Sequence, residues 1–224
     1  MALSPLLPVP VRWSTSLVDL QPTSRGSVAW DTALVSTTLQ LHAPAGTQLR
    51  AALAAAHELD APPAMVLLPD AGSADFDPLG RDEAERLLTG YRSAGNAWRH
   101  AVEQAQGGLW YATLTTSEPD QLLHVMLVLR VEPRAGAPDV FDLRLLAPFA
   151  SFPFEPGAPA SLTVALPRLP DRLVTTHYGY VEDGEGEKVS SGTESEHADR
   201  RFVSHLWEHE DPLLRIRYAY SKSA

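Results

Sequence analysis

The chain contains no cysteine. That removes disulfides, thiolate metal sites and cysteine nucleophiles together, and it fits a reducing compartment. Lysine is almost missing too: of 18 basic residues only Lys188 and Lys222 are lysines. With alanine abundant, this reads as a GC-rich coding bias, as in a bacterium or its phage. Positive charge is nowhere concentrated, and 28 acids against 18 bases leave a formal net charge of −10. A nucleic acid would meet net repulsion and release no counterions, which argues against that partner. No run approaches the ~20 apolar residues needed to cross a bilayer. The longest, Leu122–Leu129, is interrupted by His124 and ends at Arg130. The apolar start MALSPLLPVPVRW lacks a basic n-region, and Pro5, Pro8 and Pro10 break any helical h-region, so it does not read as a signal peptide. The expectation is a soluble cytoplasmic protein without membrane insertion.

What is present is ordinary for a globular protein. The 224 residues are 44% apolar and 21% charged, and a chain of this size buries roughly 70% of the surface its unfolded form exposes. Residues 1–26 read as an extended, Pro-rich N-terminal arm. Residues 27–108 read as an α/β segment. A strand is predicted over Val28–His42, where Ala33, Val35, Thr37, Leu39 and Leu41 alternate with a mostly polar second set. A short helix is predicted next, with Thr47 as N-cap and Leu49, Ala52, Leu53 and Ala56 on one stripe, ended by Pro62-Pro63 before a buried strand at Ala64–Leu68. A long amphipathic helix is predicted over Arg81–Ala105, from an Asp77-Pro78 start to a Gly107-Gly108 stop.

Residues 109–224 read as an antiparallel β-rich segment, which can continue the same domain. Its candidate strands are Leu109–Thr116, Leu122–Val131, Val140–Leu146, Ser161–Leu166, Leu173–Val181, Phe202–His209 and Leu214–Tyr220. The stretch 182–199 holds seven acids and one lysine among glycines and serines, and reads as a solvated acidic loop. The expected fold class is α+β: an N-terminal βαβα segment with one long amphipathic helix, then a sandwich-like half of about seven strands.

Three motifs carry chemistry in principle. His205-Leu206-Trp207-Glu208-His209 spells H-x-x-E-H, which resembles the zinc-binding signature of inverted zinc peptidases. In a helix His205 and His209 could grip one Zn²⁺ while Glu208 polarises water; in a strand Glu208 points to the opposite face and chelation fails. Only fifteen residues follow His209, so a further ligand would have to come from His177 or His197. Asp75-Phe76-Asp77 has the form of a metal-binding D-x-D, but three residues specify little. The glycines at 184 and 186 sit among acids, the wrong field for phosphate.

The arm offers a different reading. Leu6, Leu7, Val9 and Trp13 are apolar residues held extended by prolines, suited to docking on another chain. The leading expectation is therefore a non-catalytic interaction or assembly subunit of a larger bacterial or phage complex. Its contacts would be the arm and the acidic loop, and its partner another protein or a second copy. The alternatives are a zinc-dependent hydrolase at His205, Glu208 and His209, and a small-molecule binding module with a pocket beside Trp98 or Trp110.

Overall fold

The computed structural model describes residues 9–22, 30–69, 72–87, 101–145, 152–167, 172–181, 187–188, 192–197, 200–208 and 213–222. Its organising element is a large sheet. Alternation of buried and open side chains makes β2 (Asp31–Leu41) a strand with one core face: Ala33, Val35, Thr37, Leu39 and Leu41 point inward. It pairs antiparallel with β1 (Val11–Pro22) on one side and β8 (Leu122–Val131) on the other. Beyond β8 come β4 (Glu58–Leu68) and the short β5 (Ser73–Asp75). Beyond β1 come β11 (Pro159–Ala165), in a parallel pairing, then β15 (Arg200–Glu208) and β14 (Thr193–His197). The sheet thus has eight strands.

Two smaller sheets cover one face of it. A three-stranded sheet joins β3 (Gln48–Ala54), β7 (Leu109–Thr115) and β6 (Asp77–Pro78). Between it and the large sheet lies a core of Val9, Val11, Leu39, Leu49, Met65, Leu114 and Leu123, among others. A five-stranded sheet joins β10 (Ala137–Leu145), β9 (Pro133–Arg134), β12 (Arg172–Val181), β13 (Glu187–Lys188) and β16 (Leu213–Lys222). It closes a second core with Val18, Leu20, Leu129, Leu143, Val164, Val203, Ile216 and Tyr218. Inside that core the Asp31 carboxylate accepts hydrogen bonds from Tyr218 and Tyr220, both at 2.7 Å, while Phe141 stacks on Tyr218 at 5.3 Å.

These findings correct the α+β expectation. The described residues are mostly β-strand, and no long helix occurs among them. Among the described residues helix is confined to α1 (Arg81–Leu87) and 101–104; the rest of the predicted Arg81–Ala105 helix lies outside them. Asp77-Pro78 is not a helix cap but a strand paired with Tyr111 and Trp110. The helix starts instead at Gly80, whose carbonyl accepts from Glu83 and Ala84. The segment predicted as a helix from Thr47 is the strand β3. Its Leu49, Ala51 and Leu53 face the first core, while Ala52 and Ala54 face a third core with Leu79, Ala84 and Val102. Buried on both sides, it shows no polar face to betray its period. The Pro62-Pro63 pair does not precede a strand but lies inside β4, where the pairing with β8 shifts register between Leu59 and Ala61 and again between Ala61 and Ala64. Such irregularities are where a strand tolerates proline. Part of the acidic loop is also strand: Thr193–His197 forms an edge of the large sheet. No described helix is long and apolar enough to cross a membrane.

Candidate ligand-binding cleft

The β3–β4 turn of one small sheet faces the β9–β10 hairpin of the other beside the end of β8, and the gap there is open. A cleft of about 610 Å³ lies there, within the ~300–1,000 Å³ of small-molecule sites. One wall is the β3–β4 turn, with Ala56, His57 and Glu58, next to Gln106. The end of β8 adds Arg130 and Glu132 to the lining. The other wall is the β9–β10 hairpin and its strand, with Pro133, Arg134, Ala135, Asp142 and Arg144. The lining contains no large apolar side chain, so its ligand would be polar.

His57 bridges the walls. Its Nε2 accepts a hydrogen bond from the backbone N–H of Arg144 at 2.9 Å. A neutral imidazole that accepts at Nε2 carries its proton on Nδ1, so the bond sets the tautomer and leaves His57 a second, donating nitrogen. Burial, reinforced by the nearby Arg144 charge, pushes the His57 pKa down to about 4, against a smaller opposing pull from Asp142. His57 is therefore neutral at pH 7.

The turn that carries His57 is clamped by backbone. Gly107 N–H donates to the Ala55 carbonyl at 2.9 Å, and Ala55 N–H donates to the Gly108 carbonyl at 3.0 Å. A Cβ at Gly107 would fall 1.6 Å from the His57 carbonyl oxygen, so only glycine permits this approach. The Trp110 indole N–H seals the same turn by donating to the Gly107 carbonyl at 3.1 Å.

The charges of the cleft sort into engaged and available. Arg130 pairs with Asp60 at 2.9 Å and Glu58 at 3.5 Å, and its guanidinium lies 4.7 Å from the Trp30 ring centroid. Asp142 accepts from Arg217 at 2.8 Å. Arg134 and Arg144 enter no ion pair among the described residues, and Glu132 is the one comparable acid. With the engaged pairs set aside, the cleft presents two guanidinium groups, a donating imidazole and one carboxylate.

The residues singled out by sequence lie elsewhere. His205 sits on β15, buried beside the Leu162 register position, and burial lowers its pKa. Glu208 closes the same strand three positions on, and His209 lies outside the described residues. The helical geometry that zinc chelation required is absent over 205–208, because 202–208 is a strand paired with β11. His197 stands opposite Arg200 at the far end of the β14–β15 ladder, roughly 16 Å from His205 at about 3.3 Å per residue. No group of three or more metal-ligating side chains occurs among the described residues. Asp75 and Asp77 are exposed on β5 and β6, with Phe76 buried between them.

Of the arm, Val9 is 5% exposed in the first core and Val11–Pro22 is an interior strand of the large sheet, with Trp13 half-buried opposite Gln40. No free arm remains over 9–22, while Leu6 and Leu7 lie outside the described residues, as does Trp98. The assembly-subunit expectation finds no support here. Sequence reasoning missed His57, Arg134 and Arg144. The hairpin Pro133-Arg134-Ala135-Gly136 registered only as a breaker, and His57 and Arg144 lie 87 residues apart.

No protein-family model and no curated protein matches the chain. Among solved structures, a protein described as a nutrient-binding protein of Legionella pneumophila aligns with 95% of this chain and 68% of its own, at 9% identity and a TM-score of 0.49. Yeast leukotriene A4 hydrolase in complex with bestatin aligns with 98% of this chain at 12% identity and a TM-score of 0.44. The native enzyme from Saccharomyces cerevisiae aligns with 96% at 11% identity and 0.40. This chain spans 29% of the hydrolase in both structures. Likenesses at this level carry no functional argument.

Proposed function

We propose that the protein is a non-catalytic binding module that holds a small anionic ligand, bearing a carboxylate or phosphate, in the cleft between its two small sheets. The observation that carries this reading is the pair of guanidinium groups, Arg134 and Arg144, beside an imidazole held neutral and donating. Guanidinium donors match planar carboxylate and phosphate oxygens, and a neutral Nδ1–H adds a donor that does not depend on pH near 7. Binding is favoured over turnover because the lining has no hydroxyl, thiol or amine nucleophile, and the basic nitrogen of His57 is already occupied.

The test is a thermal-shift screen followed by calorimetry, using inorganic phosphate, simple mono- and dicarboxylates and amino acids as probes. A ligand should raise the melting temperature in proportion to mass action, and Arg134→Ala with Arg144→Ala should remove the shift without unfolding the protein. A panel without any stabilising anion, or a shift that survives the double variant, sinks the proposal.

A further inference from the structure

All the large hydrophobic side chains exposed among the described residues share one surface. They are Leu17, Leu34, Leu68, Met126 and Leu206. The register puts each on the face of the eight-stranded sheet turned away from both small sheets. Leu17 stands opposite Ser36 on β2 and Thr163 on β11, and Ser36 stands opposite Met126 on β8. Leu34 stands opposite Val128, two residues along β8 from Met126. Leu17, Leu34 and Met126, which are 49%, 38% and 43% exposed, therefore surround a single spot at neighbouring positions.

The polar groups of this face satisfy one another. Ser161 donates to Thr15 at 3.0 Å, Thr163 and Ser204 share a bond at 3.0 Å, and Thr38 meets His124 Nδ1 at 2.9 Å. Charge is paired or peripheral: Asp19 is bound by Arg200, Arg130, which alternates with the core residues Leu129 and Val131, is bound by Asp60 and Glu58 near the end of β8, and Asp75 belongs to the edge strand β5. The face can therefore be dried without stranding an ion.

Its size and neutrality name the occupant. Strands spaced ~4.8 Å apart and eight residues at ~3.3 Å give a face on the order of 600–800 Å², close to the ~800 Å² each partner contributes to a stable interface. Monomers rarely leave an apolar patch beyond a few hundred Å² open. The chain carries a net charge of −10, so a basic partner would be drawn to the acidic surfaces and gain nothing from this one. A second copy, itself acidic, can approach closely only where charge is balanced, as the pairs Asp19–Arg200 and Asp60–Arg130 balance it here.

We infer that the protein forms a two-fold homodimer in which the outer faces of two eight-stranded sheets pack together, with Leu17, Leu34 and Met126 at the centre. The same patch serves both subunits, so association closes at two copies. This does not depend on the cleft having a ligand.

Sedimentation velocity and light scattering on the full chain, across the micromolar range and at low and high salt, test it. The expected result is twice the chain's mass. Association should tighten with salt, which screens repulsion between like-charged bodies while leaving an apolar contact intact. Leu17→Asp with Met126→Asp should weaken the dimer on the order of 100-fold or more. Leu17→Ser with Met126→Ser, a milder pair on exposed positions, repeats the test should the aspartates disturb folding, which circular dichroism reports. A monomer at every concentration overturns the inference and leaves the face to another partner. So does a dimer unchanged in a folded double variant.

Discussion

Acidification should destabilise the protein through His57, by an amount the structure sets. The folded imidazole titrates near 4 against 6.5 for the free side chain. Below pH 6.5 the unfolded chain takes up a proton that the folded chain refuses, so unfolding gains. The stabilising contribution is complete above 6.5, shrinks as pH falls towards 4, and is lost below both values. At about pH 5 the linkage integral gives about 2 kcal/mol less stability from this group than at pH 7. His57→Gln supplies the control, since its amide carbonyl can still accept from Arg144 N–H but does not titrate. Urea denaturation of both proteins at the two pH values yields the contribution as a difference of differences, which cancels the carboxylates common to both. A gap between the two pH dependences of about 2 kcal/mol is expected. Parallel dependences would show that His57 is not held neutral, and would remove the fixed donor from the proposed ligand site.

Asp31 should give a pH dependence of opposite sign. Burial raises its pKa despite the two tyrosine hydrogen bonds, so the folded state holds the proton more tightly and stability falls as pH rises from 3.8 through the raised value; Asp31→Asn should flatten that slope in the same urea series. Tyr218→Phe, at a fully buried position, should cost about 1–3 kcal/mol by removing one donor from that carboxyl group, read as a shift in the urea midpoint. Gly107→Ala cannot be accommodated without moving the backbone, given the 1.6 Å approach to the His57 carbonyl. A fall in melting temperature beyond that of Gly136→Ala, a positive-φ turn glycine with open space around it, is expected, with loss of any ligand response in the screen. Gly192→Ala places a Cβ 2.8 Å from the His205 ring at a φ of +53°. It should destabilise by about 1–2 kcal/mol, and a neutral result in denaturation would contradict the close packing of β14 on β15.

What the sequence displays by itself is local period. Asp31–Leu41 and Leu122–Val131 were readable because each strand pairs a buried face with a more open one, and alternation survives in the residue order. The seven strand segments after Leu109 follow from the same signal and from the breakers between them. Period gives no access to elements whose faces are both buried. Gln48–Ala54 carries alanine and leucine at helical spacing, and only its position between two cores makes it a strand; tertiary burial outweighs a weak intrinsic preference. For the same reason the HLWEH pattern could be read either way until its pairing with Pro159–Ala165 settled the matter. The cleft was the least legible part. His57 meets Arg144 because two sheets from distant stretches of chain close over a third, and Gly107 is required because a backbone passes there. Residue order determined which segments extend and how charge is distributed. Tertiary structure decided which polar groups meet, because contacts across 87 residues leave no local trace.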